Sequence, residues 1–227
     1  MKYRKAACAR LVGSGLEIGA LHEATPVPAG ATVRYFDAMD RESAIAAFPE
    51  LDHSRLVQVD HVGDLDRRDL RKVGSASVDF VIANHVIEHV ANPVAMLEDI
   101  HFICRPGGLA VIAAPDMRYT YDRERALTSF DHLWAEYEEG VETVSDEHYM
   151  DFLRHVGKHV FEDPDRRIAD DIAHCRRRRE HAHVWNSVTF EAFVRETIRR
   201  LGLDWTVMDC HPAEADSHEI LMVLKKG

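Results

Sequence analysis

Between residues 14 and 115, short apolar runs alternate with helix signals. That alternation restricts the chain to a layered α/β fold, because strands separated by helices pair in parallel and need helices to cover the sheet. Gly15–Ile18 is a strand closing on Gly19, and Thr32–Phe36 is a second closing on Asp37. Arg41–Phe48 reads as a helix that stops before Pro49, since the residue ahead of a proline avoids the α conformation. Leu56–Val59 reads as the third strand and Val78–Ala83 as the fourth, apolar enough to be buried on both faces. Pro93–Cys104 is a helix with Asn92 as its N-cap and proline at its first position. Arg105–Gly108 is a turn, and Leu109–Ala114 is the fifth strand.

Residues 116–180 break this rhythm. They are polar, with many Asp, Glu, Arg and His residues and scattered aromatics, and predict an inserted helical lid. Residues 187–201 then form an amphipathic helix capped by Asn186 or Ser187, followed by strands at Leu203–Met208 and Glu219–Leu224. A chain that alternates and then ends on a strand pair predicts a doubly wound, mostly parallel seven-stranded sheet with an antiparallel edge hairpin. The expected organisation is a single domain over 1–227 with the lid inserted at 116–180.

Composition narrows the function classes. The chain has 227 residues and is 46% hydrophobic, which suits one sizeable core. No apolar run reaches the roughly 18 residues of a membrane span, and the short apolar stretch in MKYRKAACARLVGSG does not read as a signal peptide. Cys8, Cys104, Cys175 and Cys210 form no C-x-x-C pair and suit free thiols in a reducing cytosol, so a cytoplasmic location is expected. A formal net charge of −11 argues against a protein that binds nucleic acid by neutralising phosphates.

Glu17-Ile18-Gly19 stands where the first strand ends in a turn, and a glycine there lets backbone approach a ligand. Asp37 can accept both ribose hydroxyls of an adenosine, and Asp64, after the third strand, can accept from an adenine amine. The same spacing also fits an ordinary strand–turn–helix joint. Leu21 and Glu23 occupy the places of the usual later glycines, and the absence of G-x-G-x-x-G counts against a nicotinamide dinucleotide. In order along the chain, LEIG, FDAMD, VDFVIANHVIEHV and ICRPGGLAVIAAPD resemble the class I S-adenosylmethionine-dependent methyltransferases, a Rossmann-like family, across roughly residues 14–115. The resemblance implies that Glu17 and Gly19 line the methionine moiety and that Asp37 holds the ribose. It further implies that Asp64 and Leu65 hold the adenine and that Asn84 and His85 border the sulfonium.

His85, Glu88 and His89 stand at i, i+3 and i+4, one face of a helical turn. Two imidazoles and a carboxylate can converge on a divalent cation; equally, His89 can pack while Glu88 meets solvent. The motif is similar to the E-x-x-E-H of plant small-RNA 2′-O-methyltransferases, which bind a divalent metal with a fourth, distant histidine. That resemblance implies a metal on His85, Glu88, His89 and His183, with His181 in reserve, and makes His85, Glu88 and His89 the candidate catalytic residues. Magnesium or manganese is implied, and the histidine-rich set also suits iron or zinc.

Arg176–Arg179 is either a solvated lid face or a grip on an anionic group. Asp116–Tyr121, Asp131, His132 and Trp134 either border an acceptor pocket suited to a sugar or pack on the sheet; His148, His155, His159, His174 and His211 show no usable spacing. The segment PDMRYTYDRERALTSFDHLWAEY resembles methyltransferases of polysaccharide synthesis and the 1-O-methyltransferases of methylmannose polysaccharides. The expected activity is therefore metal-dependent O-methylation of a saccharide hydroxyl, such as the 1-OH of a methylated mannoside. The alternatives are methylation of an RNA 2′-hydroxyl or a small phenol, and a cofactor-binding regulator without turnover. Expected partners are a small saccharide acceptor and a second copy of the chain as a homodimer, with no membrane and no nucleic acid.

Overall fold

The computed structural model describes residues 2–227. Seven strands form one sheet in the order β3-β2-β1-β4-β5-β7-β6. They are β1 (Gly13–Ile18), β2 (Ala31–Asp37), β3 (His61–Val62), β4 (Val78–Asn84), β5 (Cys104–Pro115), β6 (Trp205–His211) and β7 (Glu219–Lys226). The first five pair in parallel, while β7 runs antiparallel between β5 and β6. Alternate residues of the central strands enter two apolar layers. Val81, Ala83, Ile112 and Met222 face α3 (Pro93–Ile103) and α7 (Ser187–Leu201), whereas Phe80, Ile82, Val111 and Val223 face α1 (Lys2–Cys8). Burial on both faces explains why these strands read as continuous apolar runs.

Two expectations change. Leu56–Val59 is not a strand; β3 is the dipeptide His61–Val62, paired with Phe36 and Asp37. The backbone of 56–59 is engaged elsewhere, with Val57 N donating to Leu21 O (2.9 Å) and Leu56 O accepting from Arg41, so no ladder can form there. Arg105–Gly108 lies within β5 rather than before it. Val78 pairs with Cys104 and Phe80 with Leu109, so these residues form a bulge.

From residue 116 to 186 the chain is helical in segments: α4 (Phe130–Glu139), α5 (Asp146–His155), α6 (Ile168–Arg178) and short 3-10 turns between them. The remaining helix, α2 (Arg41–Ala47), is capped by Asp40, whose side chain accepts from Ser43 N at 2.8 Å. The inserted segment has its own apolar cluster, with Val144, Tyr149, Phe152, Leu153, Val160 and Cys175 packed around Ala91 and Ala182. Among the described residues, no helix is long and apolar enough to cross a membrane.

Gly15 is a packing constraint on β1. A Cβ there would stand 2.1 Å from the ring of buried Phe80. Gly15→Ala is expected to destabilise the protein by about 1–3 kcal/mol, the usual cost of overpacking, measured as a lowered urea midpoint at unchanged slope.

Candidate functional site

The carboxyl ends of β1, β2 and β4 open onto a cleft of about 250 Å³. Sheets of this kind bind ligands at that edge. Gly19, Asp37, Leu65 and His85, four of the residues expected to hold cofactor, line it. Gly19 has φ +66°, and a Cβ there would meet Val86 at 2.8 Å, so the turn both needs glycine's conformation and brings backbone close to the cleft. Leu21 carries the left-handed turn (φ +45°) where a glycine would be easier. Burial raises the pKa of Asp37, and backbone N–H groups of Met39 and Ala38 oppose that rise.

Glu17, Asp64 and Asn84 are not among the cleft-lining residues. Glu17 is buried and accepts from Thr25 N and from Thr25 Oγ1 (2.5 Å), and Asn84 donates to the same hydroxyl at 3.0 Å. These two side chains brace the loop after β1 from behind. Asp64 pairs with Arg179 at 2.9 Å and caps Asp66 N.

The arginine run settles into the cleft. Arg178, Arg179 and Glu180 line it beside Phe48 and Met39. Arg178 lies over the Phe48 ring (4.8 Å) and pairs with Glu50 at 2.6 Å, while Arg179 reaches Asp64. Arg176 instead binds Val144 O and Asp146, and Arg177 has only a 3.5 Å contact to His174. No spacing in the sequence announced the roles of Arg178 and Arg179, because their partners lie over a hundred residues earlier in the chain.

Next to the cleft, Glu88, His89 and His181 bring one ligand atom each within 4.8 Å of one another. Glu88 and His89 stand on a turn after β4, not a helix. Glu88 is 0% exposed and makes no close hydrogen bond; its nearest charged neighbour is the His85 ring, with Nδ1 3.5 Å from Oε1. His89 Nδ1 donates to Arg179 O. Burial lowers the His89 pKa to about 4, so the ring is neutral and its Nε2 lone pair faces Glu88 at 3.7 Å. His181 gives Nδ1 to Asp122 (2.6 Å) and turns Nε2 toward Tyr121 Oη (2.8 Å) and Glu88 (3.9 Å). Outer nitrogens tied to a carbonyl and a carboxylate, with inner nitrogens converging on an orphaned carboxylate, is the arrangement metal-ligating histidines adopt.

His85 stands apart. Its backbone takes φ +55°, and Nε2 meets Glu219 (3.0 Å) while Nδ1 is 3.5 Å from Glu88. Burial would lower its pKa, but hydrogen bonds to Glu219 and Glu88 outweigh that and hold it at about 9. His183, expected as the distant ligand, is not brought to this group; it clusters with His132, Glu136 and His148. Ala182 N and His183 N both donate to Glu88 O (2.8 and 3.1 Å), which consecutive amides cannot do in a regular strand, and this bend sends the two histidines to different clusters. The alternative offered for Asp116 and Trp134 resolves toward packing. Asp116 pins α7 through Ser187 N and Oγ, and Trp134 packs on the core. Tyr121 ends the Asp116–Tyr121 stretch read as a possible pocket border, whereas Asp122 and Glu219 are site residues that carried no signal of their own.

This sheet order, with a cleft at the carboxyl ends of β1, β2 and β4, defines the class I S-adenosylmethionine-dependent methyltransferases. The family model described as "Methyltransferase domain" matches residues 12–197, and the chain belongs to that family. No curated protein matches the chain. Among solved structures, a SAM-dependent methyltransferase from Thermotoga maritima aligns at 16% identity over 98% of this chain and 86% of its own, with a TM-score of 0.53. A Rhodobacter sphaeroides protein described as a zinc-dependent alcohol dehydrogenase aligns at 13% identity over 100% and 89%, with a TM-score of 0.54. The CurJ carbon methyltransferase aligns at 15% identity over 94% of this chain, which spans 48% of that structure, with a TM-score of 0.49. At such identities the likeness is one of fold alone. The family makes S-adenosylmethionine the methyl donor.

Asp37→Ala is expected to weaken binding of S-adenosylhomocysteine by about 1–3 kcal/mol, the cost of leaving polar ligand groups unpaired. Titration calorimetry checks this. Ribose hydroxyls donate to the ionised carboxylate, so affinity should be full at higher pH and decline as pH falls through the raised Asp37 pKa. Asp37→Asn should remove that pH dependence.

Proposed function

We propose that the protein is a divalent-metal-dependent O-methyltransferase acting on a saccharide hydroxyl. The observation that carries the metal is Glu88, a fully buried carboxylate that makes no close hydrogen bond, with Nε2 of His89 and of His181 at 3.7 and 3.9 Å from it. Burying a carboxylate whose one charged neighbour, His85, stands 3.5 Å away is costly, and a cation bound by Glu88, His89 and His181 would offset that cost. When bound there it would act as a Lewis acid, lowering the pKa of an acceptor hydroxyl. Three protein ligands leave positions for that oxygen.

The remaining chemistry falls to the chain's own residues. Methyl transfer forms a bond from acceptor oxygen to carbon as the bond from that carbon to sulfur breaks, with the electron pair staying on sulfur. The hydroxyl proton needs an acceptor. His89 holds its Nδ1 on Arg179 O and turns Nε2 to Glu88, which suits a ligand rather than a base. His85 lines the cleft but is held protonated by Glu219 and Glu88, so the proton falls to the Glu88 carboxylate, while the His85 ring would steady charge on the acceptor oxygen. Oxygen, carbon and sulfur must align, and the enclosed cleft supplies that positioning.

Support for a saccharide is the pair of exposed rings beside this group. Tyr121 touches His181, and Tyr119 stacks on His218 (5.9 Å), the neighbour of Glu219. Flat exposed rings beside carboxylates suit sugar faces and hydroxyls. The net charge of −11 weighs against an RNA acceptor. Four free cysteines support a cytosolic setting.

The test is a panel of saccharides, a phenol and an RNA oligomer with labelled S-adenosylmethionine, with and without chelator. Label should enter a saccharide, vanish on chelation and return with manganese or magnesium. Glu88→Gln and His181→Ala should each lower turnover by roughly 100-fold or more, as several kcal/mol of Lewis-acid stabilisation is lost, while S-adenosylhomocysteine affinity stays unchanged. Full turnover after exhaustive chelation would overturn the metal, label in the phenol or RNA alone would overturn the saccharide, and no product with any acceptor would favour a regulator.

A further inference from the structure

A second group of metal-ligating side chains lies in the inserted segment, apart from the cleft. His132 and Glu136 stand at i and i+4 on α4, His148 on α5, and His183 on the stretch before α7, each with one ligand atom within 4.8 Å of the others. Glu136 Oε1 is 3.2 Å from His132 Nε2 and 2.9 Å from His148 Nε2. The two histidine Nε2 atoms are 3.2 Å apart, and His183 Nε2 is 3.8 Å from Glu136 Oε2.

Hydrogen bonds alone do not satisfy this group. His183 is 1% exposed; its ring lies beside the Val90 and Ala91 backbone but makes no close hydrogen bond at either nitrogen, and Glu136 Oε2 is also buried without one. A buried imidazole so weakly bonded gives up its bonds to water without full replacement. The separations fit another arrangement. Four ligands about 2.0–2.1 Å from one ion at tetrahedral angles stand roughly 3.3–3.4 Å from each other. Glu136 Oε1, His132 Nε2 and His148 Nε2 stand 2.9–3.2 Å apart, close to that spacing, and His183 offers a fourth atom within 4.8 Å of the other three. Three imidazoles and one carboxylate suit zinc or a similar borderline ion. An entry path exists, since His132 and His148 line an open cleft of about 370 Å³, while His183 and Glu136 are buried.

We propose that His132, Glu136, His148 and His183 form a second, four-ligand site for a divalent transition metal, which fastens α4 and α5 to the stretch entering α7. Four protein ligands close the coordination shell, so the site is structural rather than catalytic. The proposal does not depend on the role of Glu88. The group at Glu88 would keep open positions, whereas this one would not.

Chelator-stripped full-length protein titrated with cobalt(II) tests it, with metal content, visible absorption and thermal melting read together. Wild type should gain the strong visible bands of four-coordinate cobalt and melt at a higher temperature. His132→Ala/His148→Ala should lose one equivalent of metal, those bands and the melting shift. S-adenosylhomocysteine binding serves as the folding control, and the half-exposed His132→Gln alone serves if the double variant does not fold. Glu88→Gln should leave the bands in place. Equal cobalt content and identical spectra in wild type and either His132 variant would overturn the proposal, as would no cobalt bound by wild type. Bands lost only in Glu88→Gln would place the cobalt at the cleft and overturn the second site while sparing the first.

Discussion

Residue 88 joins the two halves of this protein. Its carbonyl accepts the amides of Ala182 and His183, docking the return of the inserted segment against the end of β4. Its carboxylate lies buried in the joint thus formed, without a close hydrogen bond. A charge in that position is tolerated only if something positive or proton-bearing faces it. The His85 ring, held protonated by Glu219 and Glu88 together, supplies one such group, and the His89 and His181 rings stand on the other side.

That joint also shapes the cleft. Docking residues 181–183 on β4 carries the end of α6 across the edge of the sheet, so Arg178, Arg179 and Glu180 become one wall. Arg179 then neutralises the acids after β3, and Arg178 packs over Phe48, tying the insertion to the loop beyond α2. The insertion has its own apolar cluster around Tyr149 and Phe152 and is fastened at defined points, so any opening would act at this arginine wall more readily than through the packed helices.

Much of the frame was legible because it depends on local rules. Apolar runs with helices between them, Asn92 before Pro93, and Gly19 and Asp37 at strand ends each report a backbone or packing demand made by near neighbours. The misread pieces are places where a distant partner overrode local preference. Leu56–Val59 has strand-like alternation, yet Val57 is hydrogen-bonded to Leu21 and the ladder moves to His61–Val62. The acids expected at the cofactor edge, Glu17 and Asp64, do stand there, held by Thr25 and Arg179. Asn84 likewise turns to Thr25.

Local pattern sufficed for the alternating α/β order, the parallel core with its final antiparallel pair, and the glycine and acid that line the cleft at the ends of β1 and β2, since periodicity and turn chemistry act over a few residues. It also put Glu88 and His89 side by side after β4. Only the tertiary structure decided which distant histidine joins them. His181 and His183 are two residues apart in a stretch with no regular structure, and the bend over the Glu88 carbonyl sends the first to Glu88 and the second to His132, Glu136 and His148. Ligand sets of this kind combine residues from elements far apart in the chain, and their convergence is a property of packing that no local spacing encodes.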